Sequence, residues 1–369
     1  MRMTWIARSV ITIWAGLGFI GSVAAIADIK IVHLPAQATT IHAAAPSLPL
    51  NNRVLSIDVS ADQSGDYTAA FELALNAGMR EIGLTFYWNG IETTSGIYQN
   101  DNFATANAYY PAYGMPVRFM ISPIQKNSKV VPADLASLPF NDPLVIQRFN
   151  AMLDWVATQI PDVDVAAIIL GNEYDVYLGS DATAWQQFTE FYAATSAHAR
   201  TLWPATRIEA ESTLYGAIGS NATRNLALNA YSDALSVSYY PLNGNFTVKP
   251  PSVVATEIAQ LCALYPMPID FEEAGYPSGD LTNSSPELQA QFVQAMFAIW
   301  DAHPGQIRMV DFTWMHDISP TAVNLIAFIY NIHNPRFKDY IGSLGLRTYD
   351  GHDKPAWTTI IAEALARDF

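Results

Sequence analysis

The sequence predicts a single-domain α/β protein folded as a (β/α)₈ TIM barrel. Short apolar segments rich in β-branched residues alternate with longer segments of helical period, which is typical of a parallel sheet with crossover helices. No glycine-rich phosphate fingerprint follows the first strand, so an open nucleotide-binding sheet is disfavoured. Eight strands are predicted, at residues 54–59, 81–87, 116–122, 165–171, 206–211, 234–240, 268–273 and 307–314.

The helices between these strands have recognisable ends. Asp142 and Pro143 supply an N-cap and a first-turn proline, and apolar residues follow them along one helical face. The same criteria predict helices over residues 67–77, 183–202, 252–264 and 286–301, and a closing helix near the C-terminus. Strand and helix therefore alternate through the whole predicted barrel.

Composition sets the broad class of the protein. Half of the 369 residues are apolar and 14% are charged, so the chain can form a large core. The net charge of −15 argues against nucleic acid or an anionic membrane surface as a partner. The one cysteine, Cys262, cannot form an intrachain disulfide and is expected to be buried and inert. We expect a monomer.

The N-terminus predicts export. Arg2 and Arg8 precede an uncharged apolar run over residues 10–27 that ends in small residues, the pattern of a secretory signal peptide. The run is also nearly long enough to span a bilayer, so an uncleaved membrane anchor is the alternative. We assign residues 1–27 to the signal or anchor, 28–50 to a linker or arm, and 51–369 to the barrel. The barrel is therefore expected to be secreted or periplasmic, or anchored outside the membrane.

Catalytic groups of (β/α)₈ barrels lie at the C-terminal ends of the strands. The fourth strand ends in Gly171-Asn172-Glu173, and the seventh ends in Glu272-Glu273, followed by Ala274-Gly275-Tyr276-Pro277-Ser278. Two carboxylic acids held in different protonation states are the minimum needed to cleave a glycosidic bond. Because side chains alternate along a strand, only one of Glu272 and Glu273 is expected to face the barrel mouth.

These motifs resemble clan A, a large group of retaining glycoside hydrolases. The Asn-Glu pair matches the clan's acid/base at the end of strand four, and Glu273 matches its nucleophile at the end of strand seven. The strand-seven sequence is similar to Glu-x-Gly-Trp-Pro-Ser of the family 17 β-1,3-glucanases, with Tyr276 in place of tryptophan. Ser238-Tyr239-Tyr240-Pro241 is similar to the same motif in the family 53 endo-β-1,4-galactanases.

The resemblance implies roles for individual residues. Glu173 would be the general acid/base and Glu273 the nucleophile, selected over Glu272 by its spacing to Gly275-Tyr276-Pro277. Asn172 would bind the sugar 2-hydroxyl. The nucleophile would be oriented by Tyr240 or Tyr239, and Trp314 would form the floor of the −1 subsite.

The sequence departs from the clan pattern at two positions. Many members carry an arginine near the end of strand two, whereas this strand ends without one and Arg118 lies too early on strand three. Many also carry a histidine on strand six, where this chain has Ser238. These departures leave the family open without affecting the paired glutamates.

Sugar sites combine aromatic platforms with polar groups. Among the aromatic residues at strand ends we expect Trp88, Trp314 and Tyr276 to contact substrate, with Asp58 as a hydrogen-bonding residue. No histidines lie at metal-ligand spacing, so neither a metal nor another cofactor is expected.

The predicted function is hydrolysis of a β-linked polysaccharide or oligosaccharide by double displacement, with β-galactan or β-glucan favoured. Retention requires the two carboxyl groups to lie about 5–5.5 Å apart, whereas an inverting pair needs roughly 6.5–9.5 Å. One alternative is a non-catalytic carbohydrate-binding or cell-envelope protein on a degenerate barrel. Another is a metal-dependent enzyme with Asp58, Glu173, Glu211 and Glu273 as oxygen ligands.

Overall fold

A computed structural model describes residues 52–125 and 127–369 of the protein. The predicted signal or anchor at 1–27 and the linker at 28–50 lie outside the described residues. Within the described part of the chain, no helix is long and apolar enough to cross a membrane.

All eight predicted strands are present and run parallel, each close to its predicted position. The fifth consists of two segments separated by Ala210. A short antiparallel hairpin, Ile124–Gln125 with Ser128–Lys129, follows the third. The barrel strands are β1 Val54–Ile57, β2 Ile82–Tyr87, β3 Val117–Ser122, β4 Val165–Ile169, β5 Arg207–Glu209 and Glu211–Thr213, β6 Leu235–Tyr239, β7 Ile269–Ala274 and β8 Ile307–Phe312.

The eight strands form a ring. One sheet has the order β2-β3-β4-β5 and the other the order β5-β6-β7-β8-β1, with the two segments of β5 serving one sheet each. A parallel bridge between Ser56 and Glu81 joins β1 to β2 and completes the circuit. The (β/α)₈ prediction is therefore confirmed.

The helices surround the ring, and several have side-chain caps that the sequence predicts. Asp142 accepts a hydrogen bond from the amide of Leu144, and Pro143 occupies the first turn of the helix that follows. The helices are α1 Tyr67–Asn76, α2 Trp88–Ile91, α3 Asp101–Tyr109, α4 Pro143–Gln159, α5 Tyr174–Leu178, α6 Ala182–Leu202, α7 Leu214–Ile218, α8 Ala222–Asn229, α9 Val253–Leu264, α10 Pro286–Ala302, α11 Pro320–Ile329, α12 Pro335–Gly342 and α13 Pro355–Leu365.

Two of these helices form an insertion that the sequence analysis did not predict. After β8 the chain forms α11 and α12 before it reaches the closing helix α13. Both helices bury apolar residues in a second hydrophobic cluster, separate from the main core between strands and helices. That cluster consists of Tyr240, Leu242, Phe246, Trp314, Ile326, Ala327, Tyr330, Phe337, Tyr340, Ile341 and Leu344.

The interior of the ring is polar and centres on Arg118 of β3. Its guanidinium is fully buried and binds Glu272 at 2.8 Å, Glu81 at 3.2 Å and Asp311 at 2.5 Å. The hydroxyl of Ser56 donates to Asp311 at 2.9 Å. Although burial opposes the charged form, attraction by the three carboxylates raises the pKa of Arg118 well above its ordinary value.

We expect Arg118→Met to lower the free energy of unfolding by about 3–5 kcal/mol, because it leaves buried carboxylates without their cation. Urea denaturation measures the loss. The matched control is Arg200→Met, which removes a partly exposed cation paired with Asp233 at 3.1 Å and should cost less than about 1 kcal/mol. Equal losses in the two variants would contradict the central role of Arg118.

Candidate active site

The segment after β4 has an unusual backbone. Gly171 has φ 139°, and a Cβ at that position would lie 3.2 Å from the ring of Phe188. Glu173, which precedes α5, has φ 40° and ψ 42°, in the left-handed region that a side chain rarely adopts. Such conformations cost of order 1–3 kcal/mol and concentrate at functional sites.

Asp175 fixes α5, and with it Glu173, against the end of β5. One carboxylate oxygen of Asp175 accepts from the amide of Thr213 and the other from its hydroxyl, both at 2.8 Å. A Cβ on Gly216 would lie 2.0 Å from the same carboxylate, so glycine is needed for this approach. Burial raises the pKa of Asp175 to about 6.

Asn172 is held by a carboxylate of the neighbouring strand. Its side-chain amide donates to Glu211 Oε2 at 3.1 Å, and both residues are buried. The hydrogen bond orients the amide beside Glu173. The predicted contact between Asn172 and a sugar hydroxyl remains a prediction.

A β-bulge on β7 separates the two consecutive glutamates. The pairing with β6 shifts register between Phe271 and Glu273, and the pairing with β8 shifts between Phe271 and Ala274. Glu272 binds Arg118 inside the ring, while Glu273 Oε2 accepts from the hydroxyl of Tyr240 at 2.7 Å. The bulge interrupts the regular alternation of side chains, so the two consecutive glutamates meet different partners. The expectation that only one of them faces the barrel mouth stays a prediction.

Strand β6 contacts both candidate catalytic carboxyls. Ser238 Oγ donates to Glu173 Oε1 at 2.6 Å, and the hydroxyl of Tyr240, two residues further along, donates to Glu273. Residues two apart on a strand lie on one face, roughly 6.6 Å apart. Glu173 and Glu273 therefore flank the same short piece of β6, where they are 3% and 1% exposed.

Gly275 makes room for the ring of Tyr240. A Cβ on Gly275 would lie 2.3 Å from Tyr240 Cε1 and 3.1 Å from the carbonyl oxygen of Thr313. Glycine is therefore needed at this position of the strand-seven motif, because the ring of the tyrosine that binds Glu273 approaches it closely.

The structure corrects the predicted roles of Tyr239 and Tyr276 in the site. The hydroxyl of Tyr239 donates to Glu257 of α9 at 2.8 Å, and that of Tyr276 donates to the carbonyl of Lys249 at 2.8 Å. Both rings pack against Phe292 of α10, in the layer between strands and helices. They cannot contact a ligand in the mouth, because their positions point out of the barrel.

Trp88 is a third correction. Its ring is fully buried and meets Phe149 edge-on at a centroid distance of 5.0 Å. Its indole nitrogen donates to Glu92 Oε2 at 2.8 Å, and Arg148 binds the same carboxylate. Trp88 therefore stabilises the segment after β2 instead of forming a sugar platform.

Trp314 and Asp58 lie at the ends of β8 and β1. Trp314 follows a cis peptide bond, is 1% exposed, and packs in the second hydrophobic cluster with Tyr240. Its indole N–H finds no hydrogen-bond acceptor among residues 52–125 and 127–369. Asp58 is partly exposed, and its backbone bonds to Phe312 and Met315 place it beside the end of β8. Substrate contact by either residue remains a prediction.

Tyr340 of α12 is a site residue that the sequence analysis missed. Its ring meets that of Tyr240 edge-on at 6.0 Å and stacks on Phe246. Burial raises the pKa of Tyr340 well above its ordinary value, and the Coulombic effects of Tyr240 and Glu173 raise it further. The insertion after β8 therefore brings a tyrosine close to Tyr240 and Glu173, although no motif in its sequence indicates this.

No group of three or more His, Cys, Asp or Glu residues that could hold a metal ion occurs in the described part of the chain. Three of the four acids considered as oxygen ligands have other partners. Asn172 binds Glu211, Ser238 binds Glu173, and Tyr240 binds Glu273.

The pKa of Asp175 predicts a pH-dependent stability. An unfolded aspartate has a pKa of about 3.9. The pKa of Asp175 in the folded protein is higher, at about 6. Its contribution to the free energy of unfolding is therefore fully present below about pH 4 and is lost as the pH rises through about 6. Asp175→Asn, which does not ionise, should therefore gain roughly 2–3 kcal/mol relative to wild type between pH 4 and pH 7. Urea denaturation of both proteins at pH 4 and pH 7 measures this gain. A stability difference between variant and wild type that is the same at both pH values would contradict the prediction.

Comparison with known proteins places the fold among glycoside hydrolases. No protein-family model matches the chain, and no curated protein matches it in sequence. A GH5_18 structure from Streptomyces cattleya in complex with Manβ1-4GlcNAc aligns at 14% identity over 85% of this chain and 80% of its own, with a TM-score of 0.67. An exo-β-1,4-mannosidase from Opitutaceae bacterium strain TAV5 aligns at 16% identity over 85% of this chain and 58% of its own, with a TM-score of 0.63.

A third similar structure comes from a different family. A family 39 glycoside hydrolase from Bacteroides cellulosilyticus WH2 aligns at 15% identity over 86% of this chain and 65% of its own, with a TM-score of 0.59. Families 5 and 39 both belong to clan A, so the structural neighbours agree with the clan that the strand-end motifs resemble. At these identities the comparisons establish the shared fold.

Proposed function

We propose that the protein is a retaining β-glycoside hydrolase with Glu273 as nucleophile and Glu173 as general acid/base. The observation that carries the proposal is that Ser238 of β6 and Tyr240, directly after its end, bind these two carboxyls. Two buried acids flanking one strand at the mouth of a barrel suit the cleavage of a glycosidic bond. The glycoside hydrolases among the similar structures support the same reaction class.

The reaction proceeds by double displacement. Glu273 attacks the anomeric carbon and forms a glycosyl ester, while Glu173 gives its proton to the departing oxygen. Glu173 then takes a proton from water, and the resulting attack on the same carbon releases the sugar with retained configuration and frees Glu273. Tyr240 orients the attacking carboxylate through its hydrogen bond.

Arg118 offsets the negative charge of the residue next to the proposed nucleophile. Two adjacent carboxylates repel one another, so ionised Glu272 would disfavour ionised Glu273. The guanidinium bound to Glu272 at 2.8 Å offsets that charge. A nucleophile must be ionised to attack, so this pairing keeps Glu273 available.

The burial of the two glutamates is the observation behind our proposal of action at a chain end. Glu173 and Glu273 are almost completely buried, beside the cluster formed by α11 and α12. A polysaccharide bound along its length needs an open groove across both carboxyls. An enclosed site instead suits the terminal sugar of an oligosaccharide, so we propose exo action.

The similar structures direct the choice of sugar. One holds Manβ1-4GlcNAc and another is an exo-β-1,4-mannosidase, so a β-mannoside is the first substrate class we propose to test. The preference for β-galactan or β-glucan that the strand motifs favoured has no support from these comparisons, and both belong in the same screen.

Export of the protein is also a proposal, and it is supported by the sequence of residues 1–27. N-terminal sequencing of protein from the culture medium, periplasm and membrane would distinguish a cleaved signal peptide from a retained anchor.

We expect the purified protein to release single sugars from the non-reducing end of a β-linked oligosaccharide, with the β-anomer appearing first by NMR. Glu273→Ala should abolish turnover. Glu173→Ala should slow aryl glycosides with poor leaving groups most, because they need the proton. Longer fragments would contradict exo action. Binding without hydrolysis of any β-glycoside would establish the alternative, a non-catalytic carbohydrate-binding protein.

Neighbouring tyrosines on β6 provide a matched test of nucleophile orientation. Tyr240→Phe removes the hydrogen bond to Glu273, and loss of a bond to a charged group should lower kcat about 10–100-fold. Tyr239→Phe removes a hydroxyl that binds Glu257 outside the barrel and should leave kcat within about two-fold of wild type. Steady-state kinetics on one aryl glycoside compares them; equal effects would contradict the assignment.

A further inference from the structure

We propose that Ser238 is a positioning residue that controls the proton of Glu173. The inference rests on the proposed function, since it concerns the acid/base of that reaction. The first step of the reaction uses the protonated form of Glu173 and the second step uses its ionised form. We infer that the hydroxyl of Ser238 sets the balance between these two forms.

The geometry places Ser238 between the two candidate catalytic residues. Its backbone is the register partner of Glu273 on β7 and of Thr213 on β5, so strand pairing on both sides fixes its position. Its side chain donates to Glu173 Oε1 at 2.6 Å, within the range of a charge-assisted O–H···O⁻ hydrogen bond. Ser238 is 3% exposed, so little water competes for this bond.

A hydroxyl suits a group that must be protonated in one step and ionised in the next. It donates to the carboxylate, and it can turn to accept a hydrogen bond when Glu173 carries a proton. Being neutral across the working pH range, it adds no titration of its own. A bond that favours the charged form lowers the pH at which the acid loses its proton.

Titratable groups around Glu173 in the described part of the chain include Tyr340 on α12, Tyr240 after β6 and Glu211 on β5, which binds the adjacent Asn172. Glu273 on β7 binds Tyr240. Tyr340 stays protonated because burial raises its pKa. The carboxylates on β5 and β7 oppose ionisation of Glu173. The hydrogen bond from Ser238 works in the opposite direction.

The chain supplies a matched control for Ser238→Ala. Ser236 lies two residues earlier on β6, on the same face, and is fully buried. Its Oγ has no hydrogen-bond partner among residues 52–125 and 127–369. Ser236→Ala therefore removes the same atom from the same strand without removing a hydrogen bond. Ser238→Thr retains the hydroxyl and tests rescue.

The experiment is the pH dependence of kcat/KM on an aryl β-glycoside that the wild type hydrolyses. In Ser238→Ala the alkaline limb should move up by about one pH unit, because the carboxylate loses its donor. Its kcat should fall by up to about 10-fold at pH values below the pKa of Glu173 where the second step limits the rate, because a smaller fraction of Glu173 is then ionised to take the proton from water. Ser236→Ala should match wild type, and Ser238→Thr should restore the limb.

An unmoved alkaline limb in Ser238→Ala, or an equal shift in Ser236→Ala, would overturn the inference while leaving the hydrolase proposal intact. A wild-type protein that hydrolyses no β-glycoside would overturn the hydrolase proposal itself.

Discussion

The buried guanidinium of Arg118 is the constraint on which the rest of the site depends. A charge inside a barrel is tolerated only when partners surround it, and Arg118 obtains them from β7, β8 and the start of β2. One of those partners is Glu272. Glu272 binds the guanidinium, and the next residue, Glu273, binds Tyr240 instead. The ion pair and the bulge together explain why two consecutive glutamates have different partners.

Strand β6 and the residue after it contact both glutamates proposed to be catalytic. Ser238 and Tyr240 each bind one of the two glutamates, and Gly275 leaves space for the tyrosine ring. The insertion of α11 and α12 packs in one hydrophobic cluster with Tyr240 and brings Tyr340 against its ring. Glu173, Glu273 and the inserted helices are therefore linked through contacts between residues far apart in the chain.

The barrel, and the positions of Glu173 and Glu273 at strand ends, could be predicted because both signals are local. The catalytic roles of the two glutamates stay a proposal. Apolar periodicity marks a strand, and a motif at its end marks the mouth. Side-chain direction beyond a strand end was less predictable. Tyr276 and Trp88 follow their strands and lie against the helices and in the core. Tyr239 is the last residue of β6 and alternates with Ser238, so its side chain points into the helix layer. Arg118 and Tyr340 act through long-range contacts, and neither carries a local signature of its role.

We propose that Glu273, which the bulge gives a different partner from Glu272, carries the covalent intermediate. This proposal is tested most directly by incubating the protein with an activated 2-deoxy-2-fluoro β-glycoside of a sugar that it hydrolyses, followed by peptide mass spectrometry. The fluorine slows both steps, and the activated leaving group lets the intermediate accumulate. Our account predicts one sugar per chain, attached to Glu273. A label on Glu272, or full occupancy without any covalent adduct, would contradict it.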